Sequence, residues 1–353
     1  MKINYILLIL ILVIQIGIVS ATEIDNCKTL DTDGESYILN QSVSSSGTCF
    51  TINADNITLD GNGYNINFSI LKFGVGIING GYDNVTIKNI HINQINFSLP
   101  YSNFNDSYHA YVTRGSVGEL IDSKGLWFQS TSNNGLIFNV SINVSREAIL
   151  FDRSHNNTIL NSTAISNISA GIFVYDSLNV SIINSRAVSY TSDTNITRNY
   201  MFRAIGIQID NSSNSLIFNS SGTSNIGYGI MIFSSVNTNL SNNNGISNTN
   251  IGIMISKSSN NTLRFNNGIS NTSIGIYIDS DNNTLTSNIG ISDTSYGSTI
   301  SKSSNNNNTK NNLFQIQNKT TNTKTVIFSN ENTQTVLLIF VLLLIIFLIV
   351  KKK

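Results

Sequence analysis

Five residues that can take part in acid–base chemistry lie close together in the sequence: Arg146, Glu147, Asp152, Arg153 and His155. Only 11% of the 353 residues are charged, so this group stands out. Such a set could abstract a proton beside a uronate carboxylate, with an arginine stabilising the enolate. Asp152, Arg153 and His155 are the catalytic candidates. The alternative is an ion-pair patch on a solvated turn, which would contribute little to stability.

A second candidate group is aromatic and lies in residues 93–134. This segment contains the only tryptophan, Trp127, together with several tyrosines and phenylalanines. Aromatic rings can stack on the faces of sugars, so Tyr101, Tyr108 and Trp127 are candidate ligand-binding residues. The alternative is that the aromatic side chains form a small core within an insertion.

An internal repeat predicts the elements that position these residues. Within residues 205–300 the phrase Gly-Ile-x-Ile begins at Gly206, Gly229, Gly252 and Gly275, in steps of 23 residues. A fixed period of this length predicts a solenoid. Each repeat contains short runs of alternating β-branched residues, which predict strands, and clusters of Ser, Asn and Gly, which predict tight turns. The expected fold is therefore all-β, with parallel coils of about 22–23 residues.

Asparagine recurs at one position of these repeats: Asn156, Asn179, Asn214, Asn237, Asn260 and Asn282. Asparagine tolerates the left-handed backbone of a sharp turn, and its amide can both donate and accept hydrogen bonds. Charged residues at stacked positions would instead face like charges at strand spacing. The sequence therefore predicts a ladder of amides. A disordered Asn-rich tract is the alternative, but it does not account for the regular isoleucines.

Repeats of the form Gly-Ile-x-Ile-x-x-Ser-x-Asn-x-Thr-Leu resemble those of the right-handed parallel β-helix superfamily. That superfamily includes pectate-lyase-like and polygalacturonase-like proteins and many surface proteins of archaea and bacteria. The resemblance covers residues 56–312 and implies a right-handed parallel β-helix of nine to eleven coils. It implies little about activity, because many functions share this fold.

The catalytic sets of enzymes in this superfamily are not evident in the sequence. The polygalacturonase type needs several Asp residues and a His, but no Asp-Asp pair or Gly-His-Gly phrase occurs. The pectate-lyase type needs calcium-binding Asp residues. Asp152 and Asp210 occupy the same repeat position, but in non-adjacent coils with Tyr175 between them. Three His and four Met residues give no cluster suited to a metal, so no metal or cofactor is predicted.

The N-terminal residues predict export. Residues 1–21 combine Lys2, an apolar run and small residues at the end, as in a secretory signal peptide, with an uncleaved anchor as the alternative. Cys27 and Cys49 are the only cysteines, and an exported chain permits a disulfide between them. Residues 22–55 are predicted to form a hairpin-like cap over the first coil, because the end of a solenoid is an unpaired edge.

The remaining segments complete the predicted organisation. The helix of residues 56–312 is expected to carry insertions at about 93–134 and 190–204, followed by a degenerate coil or stalk at 313–334. Residues 335–350 are apolar and precede three lysines, which predicts a single transmembrane helix with a cytoplasmic C-terminus. A tail exchanged for a lipid anchor is the alternative.

About twenty Asn-x-Ser/Thr sequons occur, and we expect glycans in the predicted loops, at Asn96, Asn105 and Asn195. The formal net charge is zero without a basic stripe, which argues against a nucleic-acid partner.

Together these features predict a cell-surface, membrane-anchored protein with a structural or adhesive role. Glycan or cell-wall binding is the most specific form of that role, and the expected partners are the membrane, a polysaccharide and other surface proteins. The alternative is a membrane-tethered polysaccharide lyase or glycoside hydrolase. The sequence leaves open whether the protein is an enzyme.

Overall fold

The computed structural model describes residues 21–71, 74–95, 123–191 and 204–300, with short segments at 306–309, 312–317 and 325–328. The strands in these ranges are numbered β1–β33 in chain order. Residues 1–20 of the predicted signal peptide and the predicted transmembrane helix at 335–350 lie outside the described residues. Among the residues that are described, none forms a helix of the length and hydropathy that a membrane span requires.

The strands form parallel ladders that run the length of the molecule. Sheet 1 has 11 strands. These are β2 Thr29–Leu30, β5 Phe50–Ile52, β8 Val75–Asn79, β10 Lys124–Phe128, β12 Ile149–Asp152, β15 Ile172–Tyr175, β18 Ile207–Asp210, β21 Ile230–Phe233, β24 Ile253–Ser256, β27 Ile276–Asp279 and β30 Ser298–Ile300.

Sheets 2 and 3 are two further ladders that share two long strands, β9 Thr86–Gln94 and β11 Leu136–Val144, so that together they contain 22 strands. Sheet 2 also contains β1 Thr22–Ile24, β3 Ser36–Leu39, β6 Thr58–Asp60, β13 Thr158–Leu160, β16 Ser181–Ile183, β19 Leu216–Phe218, β22 Asn239–Ser241, β25 Thr262–Arg264, β28 Thr284–Thr286 and β31 Asn307–Thr309. Sheet 3 also contains β4 Val43–Ser44, β7 Asn65–Phe68, β14 Thr163–Ser166, β17 Arg186–Ser189, β20 Ser221–Ser224, β23 Asn244–Ser247, β26 Asn267–Ser270, β29 Ile289–Ser292, β32 Asn312–Gln317 and β33 Thr325–Phe328.

The register of these ladders follows the sequence repeat. Ile230 pairs with Ile253, which pairs with Ile276, so equivalent residues of successive coils lie directly above one another. The result is an all-β solenoid of about ten turns with coils of about 23 residues. At the C-terminal end β33 pairs antiparallel with β32, whereas the other pairings in the described residues are parallel.

Stacked aliphatic side chains fill the interior. Ile230, Ile232, Ile253 and Ile255 are each fully buried. Each such side chain stabilises the fold by roughly 1.5–3 kcal/mol relative to exposure to water. At Gly229 a Cβ atom would overlap the backbone nitrogen of Ile246, so this coil requires glycine where sheets 1 and 3 approach each other.

The predicted asparagine ladder is confirmed in its backbone conformation, and amide–amide hydrogen bonds join two of its five steps. All six residues have left-handed backbones, with φ between 56° and 60°: Asn156, Asn179, Asn214, Asn237, Asn260 and Asn282. The Nδ2 of Asn179 donates to the Oδ1 of Asn156 at 2.9 Å, and Asn237 donates to Asn214 at 3.1 Å. The amides thus hold the turns in register while sparing the backbone the strain that a branched residue would suffer there.

A second polar ladder lies inside the coil, and the sequence did not predict it. It consists of buried serines at successive coils: Ser154, Ser177, Ser212, Ser235, Ser258 and Ser280. The backbone N–H of Ser177 donates to the Oγ of Ser212 at 3.1 Å, and the Oγ of Ser212 donates to the carbonyl of Asp210 at 2.7 Å. The hydroxyl of Ser154 has no partner, but those of the later serines satisfy backbone groups that a tight turn would otherwise leave unpaired in the interior.

The N-terminal segment corrects one expectation and confirms another. β1 pairs parallel with β3, and β2 pairs parallel with β5, so the prediction of a hairpin-like cap is wrong: these residues start the regular coils. The disulfide between Cys27 and Cys49 is present, with the two Cα atoms 4.6 Å apart.

Candidate functional site

The outer face of sheet 1 is the candidate site. We use this name for the side chains of β10, β12, β15 and β18 that point away from the core. Alternation along each strand places every second residue there: in β15, Ile172 and Val174 are buried, whereas Phe173 and Tyr175 are partly exposed. β10 begins at Lys124, so the predicted insertion at 93–134 includes this regular strand, and Trp127 pairs with Leu150 in the ladder.

Two carboxylates and a phenol line up along this face. Asp152 pairs with Tyr175, and Tyr175 pairs with Asp210, so the three lie on successive coils about 4.8 Å apart. Burial raises the pKa of Tyr175, and the nearby carboxylates of Asp176, Asp210 and Asp152 raise it further. The phenol therefore remains a hydrogen-bond donor at neutral pH.

Asp210 has the most perturbed carboxyl group of this face. Burial raises its pKa to about 6, although hydrogen bonds from the backbone of Asn211 and the side chain of Gln208 act in the opposite direction. The Gln208 side chain is only 1% exposed, and its Oε1 has no hydrogen-bond partner. Unpaired buried acceptors are uncommon in native structures. The Oε1 of Gln208 is thus an acceptor without a donor, and it belongs to a side chain that contacts the Asp210 carboxyl group, which is protonated in weak acid.

Asp152 is paired with the residue that follows it. Its Oδ1 lies 3.0 Å from the Nε of Arg153, and its Oδ2 accepts a hydrogen bond from the guanidinium at 3.4 Å. The hydrogen bond to Asp152 raises the pKa of Arg153. Arg153 has a φ of 51°, which turns the chain after β12 and brings its guanidinium back to the neighbouring carboxylate.

His155 lies in a turn and has a structural contact. The backbone N–H of Leu178 donates to its Nδ1 at 3.0 Å, and the N–H of His155 donates to the Oδ1 of Asn133 at 2.8 Å. The same contact occurs one coil earlier, where the backbone N–H of Asn133 donates to the Oδ1 of Asp83 at 2.8 Å. Between His155 and Asp152 the buried Ser154 points into the coil. The structure therefore does not place His155 with Asp152 and Arg153 on the outer face of sheet 1.

Arg146 and Glu147 are both buried, at the other end of β12. Glu147 lies 3.9 Å from Lys124 and accepts a hydrogen bond from the Oγ of Ser169 at 2.7 Å. Lys124 in turn lies 4.8 Å from the centre of the Trp127 ring. The indole Nε1 of Trp127 is buried without a partner. The predicted five-residue group is thus split over three places.

The other candidate residues lie outside the described parts of the chain: Tyr101, Tyr108, Asn96, Asn105 and Asn195. Within the described residues no three His, Cys, Asp or Glu side chains come together as a metal site.

Residues 187–335 match the family model described as "Right handed beta helix region". The fold is a right-handed parallel β-helix. This confirms the resemblance drawn from the repeats and gives the hand of the coil. No curated protein matches the sequence significantly.

Several solved structures are similar to this β-helix. The A-module of the mannuronan C-5 epimerase AlgE4 from Azotobacter vinelandii has 13% identity and a TM-score of 0.48, over 81% of this chain and 82% of that chain. A mutant of the periplasmic alginate epimerase AlgG has 16% identity and a TM-score of 0.44, over 73% and 62%. A PL6 alginate lyase in complex with a trisaccharide has 14% identity and a TM-score of 0.35, over 74% and 50%. At these TM-scores the likeness carries no argument about activity.

Sequence reasoning missed Gln208, although a signal was present. In the Gly-Ile-x-Ile phrases of this β-helix the middle position holds Met231, Met254 and Tyr277, whereas the first copy holds a polar glutamine. A polar glutamine in a row of large apolar side chains indicates that Gln208 does more than pack against the neighbouring coils.

Proposed function

We propose that this chain is an exported, membrane-anchored β-helix protein that binds a neutral polysaccharide along the outer face of sheet 1. The observation that carries the proposal is the presence of aromatic rings and hydrogen-bonding groups together on the outer face of sheet 1. Trp127 and Phe173 supply apolar rings, and Tyr175 and Asp210 supply donors and acceptors. Sugars present both apolar ring faces and hydroxyl edges, so such a face suits them.

The charges near Tyr175 favour an uncharged ligand. Three carboxylates, those of Asp152, Asp176 and Asp210, lie close enough to influence its pKa, against the single guanidinium of Arg153. That guanidinium is already paired with Asp152. A uronate polymer would bring further carboxylates to this surface, where like charges repel.

The location and the biological role are part of the same proposal. The apolar runs at 1–21 and 335–350 and the three terminal lysines support export and anchoring to the cell membrane with a cytoplasmic C-terminus. A rod of about ten coils held at a membrane would present the outer face of sheet 1 to a cell wall or matrix. We therefore propose an adhesive role through glycan binding.

A retention experiment tests the binding. The full chain in detergent is passed over immobilised neutral glucans, xylans and mannans and over a polyuronate, and the dissociation constants are measured. We expect Trp127→Ala and Phe173→Ala to weaken binding to the neutral polymer at least about tenfold, a loss of about 1.4 kcal/mol each.

Tyr296→Ala is the matched control, because Tyr296 is a 66% exposed aromatic residue outside the outer face of sheet 1. It should leave the affinity within about twofold. Retention on none of the neutral polymers, or tighter retention on the polyuronate, would show the proposal to be wrong.

A further inference from the structure

We propose that the outer face of sheet 2 binds a second copy of this chain, with the two β-helices antiparallel. The outer face of sheet 2 is the set of side chains on its strands that point away from the core. This pairing is independent of the polysaccharide proposed above, because that ligand lies on sheet 1. Only its consequence for facing membranes, given below, rests on the proposed membrane anchor.

The outer face of sheet 2 carries a continuous apolar row. The row consists of four residues in consecutive coils: Phe138, Leu160, Ile183 and Phe218. These side chains alternate with buried ones along their strands and are partly exposed, Phe218 by 40%. A contiguous row of exposed apolar side chains is typical of an interaction surface.

The strands at the two ends of this row have the same sequence. β11 begins with Leu136–Phe138, and β19 consists of Leu216–Phe218, both reading Leu-Ile-Phe. The two strands between them, β13 and β16, each begin with a small hydroxyl residue and end with an aliphatic one. The pattern on this face is therefore nearly symmetric about a point between β13 and β16.

This symmetry favours the antiparallel orientation. A two-fold axis parallel to the strands, passing between β13 and β16, exchanges β11 with β19 and makes the contact the same on both copies. Phe138 then faces Phe218 of the partner subunit, and the hydroxyl residues Thr158 and Ser181 face each other across the axis. Parallel β-helices would instead place these hydroxyl residues opposite aliphatic side chains. The antiparallel pair thus matches apolar groups with apolar groups and polar groups with polar ones.

The charges beyond the apolar row agree with this orientation. The same axis exchanges β6 with β25, which brings Asp60 opposite Arg264 of the partner subunit. Arg264 is exposed and forms no ion pair within the part of the chain that the structure describes. Asp60 lies 3.2 Å from Lys88, so the partner's Arg264 would place this carboxylate between two cations. Complementary charges of this kind fix the register of two surfaces.

The contact is narrow. β13, β16 and β19 are each three residues long, so the face is about 10 Å across. An interface of this size binds weakly as a single pair. Weak contacts between two surfaces reinforce each other, because each contact raises the effective concentration of the groups that form the next. This face therefore suits a protein that is present in many copies on a surface.

The antiparallel orientation has a consequence for the proposed adhesive role. The last strands, β31–β33, lie at the end of the β-helix that precedes the apolar run at 335–350. In two antiparallel copies these ends point in opposite directions. With the proposed anchor, the two copies belong to two facing membranes, and the protein joins cells by binding itself.

Cross-linking of the full chain in detergent tests the pairing and its orientation. Phe138→Cys and Phe218→Cys are mixed and treated with a short bis-maleimide, while the native cysteines are already joined to each other. Packed sheets lie about 10 Å apart, which brings the two introduced thiols within reach across the axis. We expect a covalent dimer in the mixture and little in either variant alone, because like positions lie about 14 Å or more apart.

Tyr296→Cys mixed with Phe218→Cys is the matched control, because Tyr296 is 66% exposed and lies between β29 and β30, outside sheet 2. This mixture measures cross-linking by random collision. A yield from the Phe138→Cys and Phe218→Cys mixture that does not exceed the control overturns the proposal. Equal cross-linking of Phe138→Cys alone would mean that the copies pack in another orientation, which overturns it as well.

The dissociation constant of the dimer, measured by sedimentation in detergent, tests the assigned residues. Phe218→Ser should raise this constant at least about tenfold, and Ser241 shows that a serine fits the same position of the next coil. Arg264→Asp should weaken the dimer at low salt, whereas Arg264→Lys should not. Melting temperatures equal to that of the wild type exclude a loss of fold. A constant that neither Phe218→Ser nor Arg264→Asp changes would contradict the assignment of this face.

Phosphatidylcholine liposomes that carry the full chain test the bridging of membranes in the absence of polysaccharide. We expect wild-type liposomes to aggregate and Phe218→Ser liposomes to stay dispersed. Aggregation supports the proposal even where the chain is retained on no glycan, so the failure of the proposed glycan binding is a separate result. Dispersed wild-type liposomes refute the bridging of membranes and leave glycan binding untouched.

Discussion

At the scale of residues, Asp210 shows how a position in a repeat can change the pKa of a carboxyl group. The residues at its position in the next two coils are Phe233 and Ser256, which need no charge compensation. Asp210 instead lies beside the buried Gln208, and the burial of its own carboxyl group raises its pKa to about 6, although the Gln208 side chain acts in the opposite direction. A carboxyl group that favours its neutral form can donate a hydrogen bond in weak acid.

The raised pKa predicts a pH dependence of stability. The folded protein holds the Asp210 proton up to about pH 6, whereas the unfolded chain loses it near the ordinary value of 3.8. Folding therefore gains from this group at low pH, and the gain is lost as the pH rises through about 6. Asp210→Asn stays neutral, so its melting temperature relative to wild type should increase between about pH 4 and pH 7. A constant difference over that range would contradict the raised pKa.

The sequence predicted the alignment of Asp152, Tyr175 and Asp210 but not the contacts around them. Their alignment follows from the repeat, which is a property of spacing alone. The contacts depend on neighbouring coils and on turns: His155 caps Leu178, and Arg153 folds back on Asp152. The contact of His155 is long-range in sequence, and that of Arg153 depends on a left-handed turn. The closeness of positions 152 and 155 in the sequence therefore suggested a cluster that the turn divides.

At the scale of elements, polar ladders inside the coil stabilise turns that an apolar residue could not. At the turns between sheets 2 and 3, buried asparagines replace serines in the later coils. The backbone N–H of Asn243 donates to the Oδ1 of Asn266 at 3.0 Å, and Asn266 donates to the carbonyl of Leu240 at 2.9 Å. The side-chain amide of Asn266 thus hydrogen-bonds two backbone groups of the preceding coil and links the two coils. The abundance of asparagine in the sequence has one physical reason here and another in the left-handed turns.

Truncating this amide should destabilise the protein. Asn266→Ala leaves the buried N–H of Asn243 without its acceptor and removes the side-chain donor from the carbonyl of Leu240. An unpaired buried N–H costs about 1–3 kcal/mol. We expect a clear fall in melting temperature and faster hydrogen exchange at Asn243. The adjacent Asn267→Ala is the control, because Asn267 makes an exposed hydrogen bond to Asn244. Equal effects of the two variants would argue that burial of the ladder is unimportant.

At the scale of the whole molecule, stability is shared between neighbouring coils. A solenoid lacks contacts between distant repeats, so each end can loosen separately. The N-terminal end is fastened by the disulfide between Cys27 and Cys49, which joins the first coils across 22 residues. Closing a loop of this size stabilises the folded state by about 3 kcal/mol in the chain-entropy model.

Loss of this disulfide should therefore have a local effect. In Cys27→Ser we expect faster hydrogen exchange in residues 21–95 and nearly unchanged exchange in residues 204–300. The Cys27→Ser/Cys49→Ser double variant should behave alike, which excludes an effect of the free thiol. Uniform acceleration along the chain would instead mean that the molecule opens as a single cooperative unit.

The identical steps of 23 residues also bear on how the gene can change. Each coil in residues 206–275 presents to the next the same glycine, isoleucine and polar groups that it receives from the one before. Unequal recombination that adds or removes one whole repeat would thus preserve the contacts between neighbouring coils. It would change the length of the β-helix by about 4.8 Å. The length of the β-helix can therefore change by whole coils without creating a new kind of contact between neighbours.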